Sequence, residues 1–431
     1  MHAPAALESA PPRPLTRQDA RTLALAALGG ALEFYDFIIF VFFTAVIGQL
    51  FFPPDTPTWL RDLQSYGLFA AGYLARPLGG IVMAHHGDRT GRKRMFSLSV
   101  LLMAVPTLLI GLLPTYASAG YAAPLALLLL RMLQGAAVGG EVPGAWVFVS
   151  EHVPAQRVGL ACGILTAGLT LGILLGSLVA TAVNGALGAA QVLAWGWRLP
   201  FLVGGLFGFL AVFLRRWLAE TPVFEELRER KALVQGLPLG AALRGHGRAV
   251  ALSMLLTWVL TAAIVVVILM TPTLMQRLHG IAPAHALAAS SVATLCLTFG
   301  CVLFGLAVDR FGTARALGAG CLLLLGAAYA LYRGVGAAPQ QLVALSALAG
   351  ACVGVVGVVP TVMVRAFPAA VRFSGLSFSY NVAYAVFGGL TPLAVTLLLA
   401  RWPLAPAHYV AALCVLGFCV ALALGRTRRA P

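Results

Sequence analysis

The sequence of 431 residues predicts an all-α integral membrane protein whose twelve transmembrane helices form two parallel six-helix repeats. Three observations predict this fold class. Hydrophobic residues make up 60% of the chain and charged residues only 10%, far outside the composition of soluble proteins. Apolar runs of about 20 residues, each long enough to cross a bilayer, follow one another from Thr22 to Gly425. The two halves of the chain also share motifs.

The predicted helices divide the chain into two bundles. We expect a cytoplasmic N-terminal tail at 1-21, which lacks the features of a secretory signal, and a C-terminal tail at 426-431. Between them lie an N-terminal bundle at 22-218, a polar linker at 219-248 and a C-terminal bundle at 249-425. The predicted helices cover residues 22-47, 63-86, 95-114, 123-150, 159-184, 199-218, 249-272, 287-308, 316-332, 340-364, 375-399 and 406-425.

Two motifs recur between the halves. The segment GAAVGG beginning at Gly135 recurs as GACVGV beginning at Gly350. Asp88, in GDRTGRKR, likewise recurs as Asp309, in VDRFGTAR. Because each half holds an even number of helices, the repeats run in the same direction through the membrane, with a substrate site expected between them.

The net charge of +15 follows the membrane topology. Most arginines and lysines fall in loops on one side of the predicted helices, the side that also carries both termini. This asymmetry is the positive-inside signal, so we expect both termini in the cytoplasm and no binding to nucleic acid. The seven cysteines and eight histidines show no metal-ligand spacing, and we expect neither a metal nor another cofactor.

Five ionisable side chains lie within predicted helices of the first half: Glu33, Asp36, Arg76, Arg131 and Glu141. Each costs about 2.5 to 3.5 kcal/mol near the bilayer centre unless it is paired or faces water. They can therefore serve transport. Alternatively, they form a permanent ion network that fixes helix packing.

Glu33, Asp36 and Glu141 are the candidates for proton coupling. Glu33 and Asp36 are three residues apart and share one helix face, and two acids so close, away from bulk water, favour proton binding by one of them. Helix lengths place Glu33 and Arg76 at roughly the same depth, which makes an ion pair between them geometrically plausible.

A substrate carboxylate could bind through two parallel hydrogen bonds to Arg76 or Arg131, a geometry that lysine cannot match. Polar and aromatic side chains at similar depth complete the predicted site. The residues assigned to substrate binding are Tyr35, Arg76, Arg131, Gln134, Thr257, Trp258, Asn381 and Tyr384.

The loop GDRTGRKR is the most specific motif. Its glycines allow a tight turn, and its charges can pair with Glu151 and with the start of a facing helix while one side of the carrier is shut. We interpret it as a gate; a loop that only sets topology would need its basic residues but not Asp88 and Gly91. The gating residues are Asp88, Arg89, Gly91, Arg92, Lys93 and Glu151.

These segments resemble one family. The likeness, which covers nearly the whole chain, rests on ALEFYDF, LARPLGGIVMAHHGDRTGRKR, RMLQGAAVGGE, WGWRLPF, RRWLAETPVFEE and VRFSGLSFSYNVAYAVFGGLTP. They are similar to the metabolite:proton symporter family of the major facilitator superfamily, which includes α-ketoglutarate, citrate and tricarballylate, shikimate and proline/betaine carriers. The resemblance implies the major facilitator fold and proton-driven uptake across a bacterial inner membrane. Its helix-one acids and helix-two arginine would be central.

The sequence departs from the family pattern in three places. Gly30 stands where members usually have Asn, and the second-half loop reads DRFGTAR instead of DRxGRR, so we expect a weaker second gate. The long coiled-coil tail of osmosensing carriers does not follow the last helix, and osmoregulation is therefore not expected. The fifth helix also lacks the Gly-Pro pair of many exporters, which favours uptake.

The main hypothesis is therefore a proton symporter for a small organic anion of the di- or tricarboxylate class, acting as a monomer in the lipid bilayer. A carrier or exporter of a neutral or zwitterionic compound is the alternative, and a non-transporting membrane sensor is a third possibility. An enzyme is disfavoured because no nucleophile-base pair, metal spacing or phosphate-binding loop is present.

Overall fold

The structure, a computed structural model, describes residues 13–218, 220–230 and 238–427, apart from a few side chains that include that of Arg92. Both outermost tail segments and part of the predicted linker therefore lie outside the described residues. Throughout the described ranges the ordered elements are helices. The all-α prediction is confirmed.

We number the twelve long helices α1 to α12 in chain order. Those of the first half are α1 (Arg17–Phe42), α2 (Thr58–Thr90), α3 (Arg92–Leu112), α4 (Ala122–His152), α5 (Val158–Ala186) and α6 (Arg198–Arg215). Those of the second half are α7 (Gly247–His279), α8 (Pro283–Phe311), α9 (Thr313–Ala337), α10 (Pro339–Ala366), α11 (Ala369–Leu399) and α12 (Ala405–Thr427).

Short helices extend or connect the long ones. Thr44–Phe51 continues α1 after a break at Phe43, while Pro222–Glu229 and Pro238–Gly245 lie in the linker. Helix α1 begins earlier than predicted because Thr16 and Asp19 form a capping box. Each side chain accepts a hydrogen bond from the backbone N–H of the other residue, which satisfies two N–H groups at the helix start.

Eleven of the helices in the described ranges are long and apolar enough to cross a membrane, and α2, with 33 residues, is the twelfth long helix. Large apolar side chains cover the outer surface of the helix bundle; on α2, for example, Leu74 and Leu78 are each 68% exposed. Such a continuous apolar exterior suits contact with lipid rather than water.

The packing repeats from one half to the other. Helix α2 packs on α4 as α8 packs on α10, and α3 packs on α6 as α9 packs on α12. The halves meet where α5 contacts α8 and where α2 contacts α11. These two contacts are also equivalent under the repeat, as expected for parallel six-helix repeats.

The recurring glycine motifs make equivalent close helix contacts. A methyl group on Gly135 of α4 would overlap the carbonyl oxygen of Gly72 on α2, and one on Gly350 of α10 would overlap that of Ala293 on α8. Only glycine lets the two backbones approach this closely. The repeated sequence therefore encodes a repeated helix crossing.

Candidate transport site and gate

Arg215, at the end of α6, holds two buried carboxylates. Its Nη2 lies 2.6 Å from Oε1 of Glu33 and 2.6 Å from Oε1 of Glu141. Its Nη1 donates to the Phe96 carbonyl, and the Ser99 hydroxyl donates to Glu141 at 2.7 Å. One guanidinium thus neutralises only one of two carboxylates drawn from α1 and α4, which leaves room for a bound proton.

This arrangement corrects two sequence-based expectations. The expected pair between Glu33 and Arg76 does not form, since Glu33 pairs with Arg215. The positive-inside signal also counts Arg215 among the basic residues of the cytoplasmic side, but its side chain is fully buried. Arg215 is buried because it lies on the same face of α6 as Gly204 and Gly208, the face that is directed into the bundle.

Asp36 is fully buried and neither carboxylate oxygen has a hydrogen-bond partner among the described residues. It lies against α6, where a methyl group on Gly204 would come within 2.5 Å of its Oδ1. The neighbouring Tyr35 donates its hydroxyl to the Pro200 carbonyl at 2.9 Å, so this predicted substrate ligand is engaged within the first half. A buried carboxylate without a partner favours its neutral, protonated form.

Arg131 and Gln134 form a second polar group inside the first half. The Arg131 Nη1 donates to the Gln134 Oε1 at 2.8 Å, and the Gln134 amide donates to Thr107 at 2.7 Å. The Arg131 guanidinium also lies over the rings of Phe37 and Phe40, 4.8 and 4.2 Å from their centroids. These contacts of Arg131 are with neutral side chains of α1 and α4, whereas Glu33 and Glu141 pair with Arg215.

Arg76 lies where the two halves meet. It is 1% exposed, and its Nε donates to the Oδ1 of Asn381 on α11 at 3.3 Å. Three tyrosine rings surround its guanidinium, with centroids at 5.5 Å for Tyr73, 5.4 Å for Tyr380 and 4.4 Å for Tyr384. Among the described residues, its Nη2 has no hydrogen-bond partner and no carboxylate forms an ion pair with it.

Asn381 and Tyr384 are thus brought to Arg76 by the contact between α2 and α11. The Asn381 amide donates to the Gly139 carbonyl at 2.7 Å, and Gly80 leaves the space that this amide fills. Tyr384 begins a π-helical segment, Tyr384–Gly388, which widens one turn of α11. Such segments occur often at functional sites.

The two predicted substrate ligands of α7 are engaged within the second half. Thr257 donates its hydroxyl to the Ser253 carbonyl of its own helix at 2.8 Å. Trp258 donates to the Tyr409 hydroxyl at 2.9 Å and stacks on Phe387 at 4.3 Å. In the described part of the chain, no group of three or more His, Cys, Asp or Glu side chains is placed to bind a metal ion.

The loop GDRTGRKR joins the halves at the face of the bundle where α1 begins and α12 ends, here called the termini face. Asp88 accepts a hydrogen bond from the backbone N–H of Ser374, at the start of α11, at 2.9 Å. Nearby, Arg372 of the second half donates to Glu151 of the first at 2.7 Å. Gly91, with φ of 118°, forms the turn that only glycine adopts easily.

The remaining loop residues differ from this pattern. Arg89 is exposed and lies 3.3 Å from the ring of His85, and the Lys93 backbone N–H donates to Glu220 of the linker at 3.1 Å. The Arg92 side chain lies outside the described residues, so its predicted gating contact stays a prediction.

The second-half loop makes the equivalent contact despite its altered sequence. Asp309 accepts from the backbone N–H groups of Gly159 and Leu160, at the start of α5, at 2.8 and 3.0 Å. This contact needs the carboxylate and a helix start but not the missing arginine, which explains why DRFGTAR still supports it.

Three residues of the site escaped the sequence analysis: Arg215, Tyr73 and Tyr380. Arg215 could have been found from the spacing of Gly204, Gly208 and Arg215, which places it on an inward stripe. Tyr73 precedes Arg76 by one helical turn, so their proximity was also readable. Nothing local indicated that Tyr380 would face α2.

Comparisons with known proteins fit this architecture. The sequence profile of the Major Facilitator Superfamily matches residues 26–386. A putative proline/betaine transporter of Staphylococcus aureus (strain COL) is 29% identical over 405 residues, covering 93% of this chain and 87% of that protein. The inner membrane metabolite transport protein YhjE of Escherichia coli (strain K12) is 32% identical over 383 residues, 86% of each chain.

Among solved structures, the proton:xylose symporter XylE bound to 6-bromo-6-deoxy-D-glucose is similar with a TM-score of 0.78. The two share 18% sequence identity over 95% of each chain, so the likeness concerns the fold.

Proposed function

The chain belongs to the Major Facilitator Superfamily and is therefore a multi-pass membrane transporter, not an enzyme. From this premise we propose that it takes up a small zwitterionic carboxylate, of the betaine or proline kind, together with protons. The similar S. aureus protein is named for proline and betaine, which supports the zwitterionic alternative better than the di- or tricarboxylate hypothesis.

The charge balance of the first half carries the proposal. Among the described residues, three acids and three arginines are buried between its helices away from the gate: Glu33, Asp36, Glu141, Arg76, Arg131 and Arg215. With a proton on one of the acids, as the proposed coupling requires, the set carries one surplus positive charge, which a single carboxylate neutralises. A zwitterion brings one carboxylate to that charge, whereas the further carboxylates of a di- or tricarboxylate would be buried without compensation.

Proton coupling is supported by two features of the same interior. Glu33 and Glu141 share Arg215, and Asp36 is buried without a hydrogen-bond partner in the described residues. Both arrangements favour binding of a proton when it is available from the membrane exterior. The substrate, at Arg76 on the boundary between the halves, and the proton, at the acids of the first half, would thus bind at separate groups.

The same proposal includes orientation and gating. The distribution of basic residues supports both termini in the cytoplasm of a bacterial inner membrane, and the contacts of Asp88, Glu151 and Asp309 would close the cytoplasmic side. In this arrangement the transporter works as a monomer by alternating access, with the halves opening on each side in turn.

Uptake into proteoliposomes tests the substrate class. The panel is labelled proline, betaine, shikimate, succinate, α-ketoglutarate and citrate, with and without an inward-acid pH gradient. We expect accumulation of proline or betaine that requires the gradient. Gradient-driven accumulation of citrate or α-ketoglutarate, with no uptake of either zwitterion, would overturn the proposal in favour of the organic-acid alternative.

A further inference from the structure

The three tyrosines around Arg76, Tyr73, Tyr380 and Tyr384, are here called the tyrosine cage. Their ring centroids lie 4.4 to 5.5 Å from the guanidinium carbon, within the range of cation–π attraction. Tyr73 and Tyr384 are stacked, 5.7 Å apart with 20° between their planes, across the boundary between the halves. The cage is therefore a cation site built jointly by α2 and α11.

In this structure the Arg76 guanidinium lies in the cage, and not all of its hydrogen-bond donors are satisfied. Arg76 is 1% exposed, makes its Nε contact to Asn381, and leaves Nη2 without a hydrogen-bond partner among the described residues. A buried donor of a charged group that lacks an acceptor is costly, and a carboxylate is the acceptor that satisfies a guanidinium best. This side chain therefore lacks the one ligand that a carboxylate substrate brings.

From this arrangement we infer that the site recognises a methylated ammonium carboxylate at two subsites, the ammonium on the tyrosine cage and the carboxylate on Arg76. The guanidinium leaves the tyrosine faces as the substrate ammonium takes them. This inference rests on the proposed function and deepens it, because it selects one zwitterion class and adds Tyr73 and Tyr380 to the site.

The chemistry of the cage decides between kinds of ammonium. A trimethylammonium group donates no hydrogen bonds, so aromatic faces stabilise it without leaving any donor unsatisfied. A primary or secondary ammonium carries N–H donors and would lose hydrogen bonds to water on entering the cage. Affinity should therefore rise with each methyl group on the nitrogen.

The test measures inhibition of labelled betaine exchange in proteoliposomes by five compounds. They are glycine, N-methylglycine, N,N-dimethylglycine, betaine and 3,3-dimethylbutanoate, the isostere in which an uncharged tert-butyl group replaces the trimethylammonium group and the carboxylate is kept. We expect affinity to increase along the methylated series and the isostere to bind at least about tenfold more weakly than betaine, because only the charged group gains cation–π attraction.

Substitutions separate the two subsites. Tyr384→Phe keeps the ring and should preserve the ratio of betaine to isostere affinity, whereas Tyr384→Leu should bring that ratio close to one. Arg76→Lys should weaken all compounds by about ten- to a hundredfold, since the two-pronged carboxylate contact is lost, but leave the ratio unchanged. Tyr329→Leu is the matched control, because Tyr329 pairs with His408 away from the cage.

The outcomes are distinguishable. The cage proposal is overturned if the isostere binds the wild-type protein as well as betaine does, or if the ratio of betaine to isostere affinity is unchanged in Tyr384→Leu. In either case the proposed function still holds if the protein takes up zwitterions. Exclusive recognition of citrate or α-ketoglutarate overturns both. If Tyr384→Leu fails to fold, Tyr73→Leu, from the other half, supplies the same test.

Discussion

At the level of single residues, partner choice distinguishes the buried arginines. Arg215 binds two carboxylates, Arg131 binds an amide and aromatic rings, and Arg76 lies in the tyrosine cage. The same side chain therefore serves three environments in one bundle. A role for each can be tested separately, because removal of each leaves a different group unpaired.

Arg215→Gln should destabilise the protein by about 3 to 5 kcal/mol, since it leaves Glu33 and Glu141 buried without their cation. Thermal unfolding in detergent measures the effect. The control is Arg216→Gln, which removes the exposed neighbour, and its midpoint should stay near that of the wild type. A midpoint for Arg215→Gln equal to that of the control would show that the cluster does not hold the bundle together.

Asp36→Asn should abolish accumulation driven by a pH gradient but leave substrate exchange and folding intact. The substitution keeps the shape of a side chain that has no hydrogen-bond partner in the described residues, so little stability is lost. The amide cannot bind and release a proton at physiological pH, so coupling to the gradient is lost. Uptake with and without the gradient measures it, beside Asp55→Asn at an exposed loop position. Undiminished gradient-driven accumulation in Asp36→Asn would exclude Asp36 from coupling.

At the level of helices, the crossing of α2 and α4 positions both parts of the site. Gly135 and Gly139 let the backbones touch, and α2 carries Tyr73 and Arg76 along the same stretch. The equivalent crossing of α8 and α10 has the glycines without buried charges. The repeat thus preserves the packing, while the buried charges proposed for substrate and proton binding lie in the first half.

Gly135→Ala should destabilise the protein because its methyl group meets backbone that cannot move aside. Overpacking a core costs about 1 to 3 kcal/mol, and we expect a loss of at least that size. Gly326→Ala is the matched control: this glycine of α9 has nothing within 4 Å, and alanine there should be neutral or stabilise by up to about 1 kcal/mol. Unfolding midpoints of the two variants give the comparison. Similar midpoints would mean that the close crossing is not required.

At the level of the whole molecule, each half closes on the other through an aspartate at a helix start. Asp88 reaches from the first half to Ser374, and Asp309 reaches from the second half to Gly159. These contacts are equivalent under the repeat. Their symmetry indicates that opening of the termini face requires both to break.

Asp88→Asn and Asp309→Asn should each slow transport much more than they weaken substrate binding. A hydrogen bond to a charged group contributes about 1.5 to 3 kcal/mol, so its loss shifts the balance between open and closed states, but the substrate site lies elsewhere. Exchange rates in proteoliposomes and calorimetric affinities measure the two effects. Glu226→Gln, in an exposed pair with Arg230 on the linker, is the control. Parallel losses of rate and affinity would point to misfolding instead.

The membrane class, the helical repeats and five of the six buried charges of the first-half interior can be predicted from the sequence, because hydropathy, helix period and repeated glycines are local properties of the chain. Arg215 was missed. Which charges meet depends on the tertiary structure. Glu33 and Arg76 lie at similar depth, yet the rotation of each helix about its axis directs one toward Arg215 and the other toward Asn381, 305 residues away in the chain. Contacts of that kind depend on how whole helices pack, and no local pattern records them.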